Sequence, residues 1–189
     1  HGIQNRVDIR RQTIDERMKE LKSIVDDKNQ WIIWCGLDVE SIAVTKSIDG
    51  AVEVKGSDDP EYKAKTFEDF QDGKIRVLVT KPKIGGFGMN FQNANKMIFF
   101  GLNDSWETYY QCIRREWRYR QKKAVDVYII ISDVESEIYK NIMRKEAMAF
   151  RLRKLLIEKI RIYEKEELGM GKIEKEDYKI ETRTGETWK

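Results

Sequence analysis

The residues with the most chemical capacity in this sequence lie together in Gln111-Cys112-Ile113-Arg114-Arg115-Glu116-Trp117-Arg118-Tyr119-Arg120-Gln121. An arginine guanidinium is permanently charged and offers a planar fork of donors. That fork suits phosphate oxygens, and above all the spread charge of a phosphoryl group in transfer. On a helical wheel, Gln111, Arg115 and Arg118 fall within about 60° of one another, with Trp106, Tyr109, Ile113 and Trp117 on the opposite side. The spacing predicts a helix from Trp106 to about Tyr119, buried on its aromatic face and presenting an amide and two guanidiniums on the other. An arbitrary arginine pair on such a helix is more often only solvated charge, so the rest of the chain has to supply the context.

A second block precedes the first: Val79-Thr80-Lys81-Pro82-Lys83-Ile84-Gly85-Gly86-Phe87-Gly88-Met89-Asn90-Phe91-Gln92. Glycines directly after a buried strand let backbone approach a ligand closely, and Lys81 and Lys83 add charge for phosphates. Upstream, Val54-Lys55-Gly56 followed by Pro60, Phe67 and Phe70 forms a glycine-containing turn leading into a helix. A plain surface turn accounts for it equally well.

The QxxxRxxRxxQ spacing of Gln111, Arg115, Arg118 and Gln121 resembles the sixth conserved motif of superfamily-two helicases, and its final glutamine resembles the Swi/Snf branch. The glycine-rich block resembles the fifth motif of the same family, of the GGxGxN type. Together they are similar to the carboxy-terminal RecA-like half of a Swi/Snf-type translocase over about Gln30 to Ser132. The resemblance implies that Arg115 and Arg118 reach ATP held on another RecA-like half, with Arg118 as the arginine finger and Gln111 positioning both. It further implies that Lys83, Gly86 and Asn90, with Lys81 and Lys55, face a DNA backbone, double-stranded in this branch. Three departures stand out: Arg120 where a glycine usually precedes the final glutamine, Trp117 for a frequent histidine, and Lys81-Pro82-Lys83 for a Ser-Thr-Arg-like run. They resemble divergent phage and prophage members, some of which are joined to a DNA methyltransferase.

The elements that must position these groups are legible in outline. Five segments read as strands: Trp31 to Cys35, Ala51 to Val54, Ile75 to Thr80, Lys96 to Phe100 and Val125 to Ser132. Several are nearly continuous apolar runs, as in parallel strands covered on both faces. Helical patterns at Asp38 to Ser47, Pro60 to Phe70 and Trp106 to Tyr119 alternate with them, which predicts a doubly wound, mainly parallel α/β domain of RecA-like type over 30–133. Ahead of it, 1–29 reads as an extension with one amphipathic helix from Ile9 to Val25, bearing Ile14, Met18, Leu21 and Val25 at helical spacing. Behind it, 134–168 reads as one long helix with a stripe of Ile138, Ile142, Ala149, Leu152, Leu156, Ile160 and Tyr163, most simply a core face. Residues 169–189 read as a polar linker or tail.

Composition narrows the classes. The 189 residues are 37% charged and 40% apolar, and no apolar run approaches the ~20 residues that span a bilayer. A net charge of +3 permits nucleic-acid binding without requiring it. Cys35 and Cys112 form no CxxC pattern and His1 is the sole histidine, so neither a zinc site nor a disulfide framework is readable; a reducing, cytoplasmic compartment is expected. The start, His1-Gly2-Ile3-Gln4, has no initiator Met, so the chain reads as a fragment. No GxxxxGK[ST] loop occurs, and no DExx box follows an apolar strand; Asp133 and Glu135 do not substitute. ATP and Mg would therefore be held mainly by an amino-terminal partner half, and the chain alone is expected not to hydrolyse ATP. The alternatives are an RNA-helicase half, or a non-catalytic nucleic-acid- or partner-binding module working through its long helix.

Overall fold

The structure, a computed structural model, describes residues 3–86 and 88–167. The chain opens with two helices, α1 (Ile3–Gln12) and α2 (Ile14–Ile24), where one was expected from Ile9 to Val25. The break at Thr13 has a local cause. The Arg10 carbonyl, which a continuous helix would give to the Ile14 N–H, instead accepts from Arg17 Nη2 at 2.6 Å and Thr13 Oγ1 at 3.4 Å.

Then follow β1 (Trp31–Cys35), α3 (Asp38–Ser47), β2 (Ala51–Val54), α4 (Pro60–Gln71), β3 (Val77–Thr80), the short α5 (Pro82–Gly85), β4 (Lys96–Phe100), α6 (Trp106–Glu116), β5 (Asp126–Ile130) and α7 (Ser136–Glu167). Among the described residues the five strands form one parallel sheet in the order β2-β3-β1-β4-β5. This is the doubly wound α/β architecture the sequence predicts, and α4 starts as read, with Pro60 in its first turn and Asp59 Oδ1 accepting from Glu61 N.

Strand alternation divides the core into two layers. On one face Ile32, Trp34, Leu78, Met97 and Phe99 pack with Phe67 and Phe70 of α4, Tyr109 and Cys112 of α6, and Ile138 and Ile142 of α7. On the other, Trp31, Ile33, Val77, Val79, Ile98 and Phe100 meet Met18 and Leu21 of α2 and Val44 of α3. Both faces are covered, which is why these strands lack a polar side.

At the carboxyl ends of β1, β4 and β5 lies a buried charge cluster that the sequence pattern does not reveal. Arg10 donates to both Glu40 oxygens, at 3.0 and 2.6 Å, and to the Leu102 carbonyl at 3.2 Å, and its Nε lies 3.5 Å from Glu135. Arg17 adds a 2.9 Å bond to Glu40 and lies over the Phe100 ring. Backbone N–H groups of Gly36 and Leu37 complete Glu40, while Leu102 N and Ser132 N and Oγ complete Glu135. Two cations and two anions thus balance with nearly every carboxylate lone pair used, the condition under which buried charges are tolerated. Gly101, at φ +94°, makes room for the Arg10 guanidinium; a methyl group there would overlap it. The cluster fastens α1 and α2 to the sheet.

A first compact unit ends at Ala147, within α7, and a second begins at Met148. The apolar stripe expected to be a core face is one only in the first unit, where Ile138 and Ile142 are buried. In the second, Leu152 and Leu156 are 66% and 58% exposed, because the described residues of that unit offer no second layer. The side chain of Tyr163 and the tail 169–189 lie outside the described residues. Among the described residues, no helix is long and apolar enough to cross a membrane.

Candidate nucleotide and nucleic-acid interface

Helix α6 begins where Ser105 Oγ accepts from Thr108 N at 3.2 Å, and it buries Tyr109, Cys112 and Glu116, with Trp106 and Ile113 half-buried beside them. It stops earlier than the wheel requires. Trp117 leaves the helix at ψ 85° and is 39% exposed, so it is not part of the buried face, and Arg118 stands beyond the helix rather than on it. Tertiary bonds account for the stop. The Gln121 side-chain NH2 donates to the carbonyls of Gln92, Ala94 and Glu116 at 3.0 to 3.2 Å, and the Gln92 side chain donates to the Tyr119 carbonyl at 2.6 Å. These bonds draw 117–121 into a turn against the segment before β4.

The two guanidiniums come together all the same. Arg115 Nη1 and Arg118 Nη1 both donate to the Met89 carbonyl, at 3.1 and 3.4 Å. Arg115 is further held by the Gln111 carbonyl at 3.0 Å and its side-chain Oε1 at 3.1 Å, and the Arg115 carbonyl accepts from Phe91 N at 2.9 Å. Gln111 therefore positions Arg115, while Arg118 is exposed with one long bond. Burial, and after it the neighbouring Arg118 charge, pull the Arg115 guanidinium below its ordinary pKa. Two like charges converging on one carbonyl repel each other, and an anion placed between them would relieve that repulsion. Met89, Gln92 and Ala94, which sequence reasoning missed, act through backbone carbonyls, and a carbonyl leaves no trace in residue type.

The other singled-out residues lie in the same unit, most of them at its surface. Lys83 and Asn90 are exposed, and Asn90 Oδ1 accepts from Gln92 N at 3.3 Å. Lys81 is engaged, its ammonium 2.6 Å from Asp38, whose carboxyl that contact pulls below its usual range. Lys55 lies 3.4 Å from Glu53. Gly86 is buried: a methyl group there would overlap the Pro82 carbonyl and crowd Cys112 Sγ at 3.3 Å. Its smallness lets the loop close on α6.

Arg120 has φ 76°, the left-handed region, and is the one non-glycine residue among the described residues to do so. This is the position where the resembled motif has glycine, and the turn geometry supplies the reason. Beneath the turn, the Glu116 carboxyl is wholly buried and both its oxygens lack a protein partner; burial, and next Asp126, push its pKa well above the usual 4.5. The Cys35 and Cys112 thiols are free and buried, and burial pushes both up, away from nucleophilic use.

The order of the sheet reverses beside β1, and a small cleft at that point is lined by Trp34, Gly36, Pro82, Gly101, Leu102 and Tyr109. Among the described residues, no group of three or more His, Cys, Asp or Glu is placed to hold a metal ion. The donors assembled here are guanidiniums, whose planar forks suit anionic oxygens.

The family model for the helicase conserved C-terminal domain matches residues 16–120. The chain is 32% identical over 110 residues to the bifunctional helicase and thymine dioxygenase JBP2 of Leishmania braziliensis, covering 56% of this chain and 10% of that protein. It is 31% identical over 109 residues to Protein CHROMATIN REMODELING 20 of Arabidopsis thaliana, covering 56% and 7%. To the DNA repair and recombination protein RAD26 of Saccharomyces cerevisiae it is 26% identical over 107 residues, covering 56% and 9%. The chain thus spans a tenth or less of these relatives. Among solved structures, the C-terminal part of the Fun30 ATPase domain superposes with a TM-score of 0.58 at 22% identity, covering 67% of this chain and 44% of that one. At that identity the likeness shows the fold, which is RecA-like.

Proposed function

Because the chain belongs to the helicase conserved C-terminal domain family, we propose that it is the second motor domain of an ATP-dependent DNA helicase or translocase of Swi/Snf type. The observation that carries this reading is the convergence of Arg115 and Arg118 on the Met89 carbonyl, which joins the two motifs in one device. Arg118, exposed and loosely held, is the group free to meet the phosphates of an ATP bound on an amino-terminal RecA-like half. Arg115, tied to Gln111, is its positioning partner. Met89 lies between Lys83 and the arginines and next to Asn90 in the chain. A strand pressing on Lys83 and Asn90, with Gly86, Lys81 and Lys55 nearby in the same unit, would shift that carbonyl and both guanidiniums. DNA contact and ATP contact are thereby coupled.

Bound ATP would supply the phosphoryl group and its Mg the charge neutralisation; the sequence has no GxxxxGK[ST] loop, and among the described residues no cluster of His, Cys, Asp or Glu is placed to hold the metal. The chain's part is to place positive charge where negative charge spreads during transfer. Alone it should not turn ATP over. DNA, double-stranded, is preferred to RNA because Gln121 ends the motif and because two relatives are named for chromatin remodelling and DNA repair. The bifunctional relatives pair a helicase with a dioxygenase, so no methyltransferase partner is proposed. Nor is a phage or prophage origin, on which the named relatives do not bear. The free thiols fit a reducing cytoplasm.

In the full-length protein, Arg118→Lys should lower ATP turnover by about 10³-fold or more while nucleotide binding persists, since a bidentate fork is lost and a point charge kept. Unchanged turnover would remove Arg118 from the site.

A further inference from the structure

From Arg114 to Lys123 the chain carries six cations and one acid, and that acid, Glu116, is buried. Two aromatic rings stand among these charges, Tyr119 at 77% and Trp117 at 39% exposure. Each has an arginine over one face: Arg120 lies 5.7 Å from the Tyr119 ring centre and Arg114 lies 5.2 Å from that of Trp117. The turn is held, not loose, through the Gln92 bond to the Tyr119 carbonyl and the three carbonyls that grip Gln121. Arg120 sits there at a positive φ, a conformation that costs an L-residue and that places its guanidinium against Tyr119.

We propose that the 114–123 turn is a binding site for an unpaired nucleic-acid strand, with bases stacking on Tyr119 and Trp117 and phosphates drawn to Arg114, Arg120, Lys122 and Lys123. A ring covered by arginine on one side still offers the other, and base, ring and guanidinium then form one stack. Two platforms, each with its own cation, match successive nucleotides better than one free nucleotide, which brings a single base. In a duplex the base faces are hidden inside the stack. An acidic peptide would answer the charge and leave both rings unused.

The inference rests on the nucleic-acid reading above for its class of partner, and the two fail separately. The test is fluorescence anisotropy on the 189-residue chain without ATP, using a labelled single-stranded DNA of about 12 nucleotides, a strand of equal length and charge with abasic residues, and the matching duplex. The base-bearing strand should bind at least about 25-fold more tightly than the abasic one, each of the two stacked bases contributing about 5-fold or more. Tyr119→Ala should cut that preference by about 5-fold or more, one of the two stacked bases being lost, while leaving abasic binding unchanged, and Arg120→Ala should weaken binding to both strands. Tyr119 is too exposed for its loss to threaten folding. Equal binding of the two strands, an unaltered preference in Tyr119→Ala, duplex binding that falls in Tyr119→Ala as far as strand binding does, displacement of the strand by millimolar ADP, or no binding at all would each overturn the proposal. If Arg118→Lys silences the motor while the base preference is missing, this inference alone falls. If the preference is present and Arg118→Lys has no effect, the arginine-finger assignment falls instead.

Discussion

Replacing Arg10 by methionine tests whether the buried charge cluster holds α1 and α2 to the sheet. The substitution keeps most of the side chain's length and removes two bonds to Glu40, one to the Leu102 carbonyl and the approach to Glu135. Two cations and two anions become one cation and two anions in a site where Glu40 and Glu135 are fully buried. Breaking one partner out of a buried pair costs about 3–5 kcal/mol, because a charge is left without compensation. For a chain of this size about 2–4 °C is lost per kcal/mol, so Tm should fall by about 6–20 °C. A thermal melt measures the Tm and urea unfolding followed by fluorescence of the buried Trp31 and Trp34 the free-energy loss, with Glu40→Gln and the double variant closing a thermodynamic cycle. The pair should show a coupling of roughly 1–3 kcal/mol. The loss should persist in high salt, since screening weakens exposed pairs far more than buried ones. A shift worth less than about 1 kcal/mol, or single effects that add within about 0.5 kcal/mol, would mean that α1 is held by apolar contacts alone.

Glu116 gives a pH test. Its folded pKa is raised above the unfolded value, so its favourable contribution is full below about pH 4.5 and is lost as pH rises toward the folded pKa, by at most about 1.4 kcal/mol per unit. Glu116→Gln removes that slope and should gain on the wild type between pH 5 and 8 in urea melts; parallel pH profiles would refute the burial argument. Arg120→Gly should raise stability by about 0.5–1 kcal/mol by relieving the positive φ, visible as a higher melting temperature; a lower one would show that Arg120's contacts outweigh its strain. Gly86→Ala should cost about 1–3 kcal/mol by forcing the 82–92 segment off α6, read as faster hydrogen exchange at the Phe91 amide, whose bond to the Arg115 carbonyl depends on that contact. Unchanged exchange would separate the glycine from the site.

The sequence by itself determined the sheet and its class. Short apolar runs such as Trp31-Ile32-Ile33-Trp34-Cys35 and Val77-Leu78-Val79-Thr80, alternating with helical patterns, read as strands with both faces covered, and Pro60 after Asp59 marks a helix start, because these outcomes follow from local pattern and local hydrogen bonding. It also showed which arginines belong together, though by an incomplete reason: the wheel carried α6 through Tyr119, whereas the helix ends at Glu116. Tertiary structure decided the rest. Where α6 stops is set by Gln121 reaching carbonyls nearly thirty residues away, and where the guanidiniums meet is set by the Met89 carbonyl. The cluster of Arg10, Arg17, Glu40 and Glu135 forms only when α1, α2 and the start of α3 come together with the strand ends. Long-range bonds to backbone atoms have no period and no residue type, so no window along the chain could contain them; Arg120 showed as a departure in the sequence, and only the φ of its turn gave a reason for the glycine it replaces.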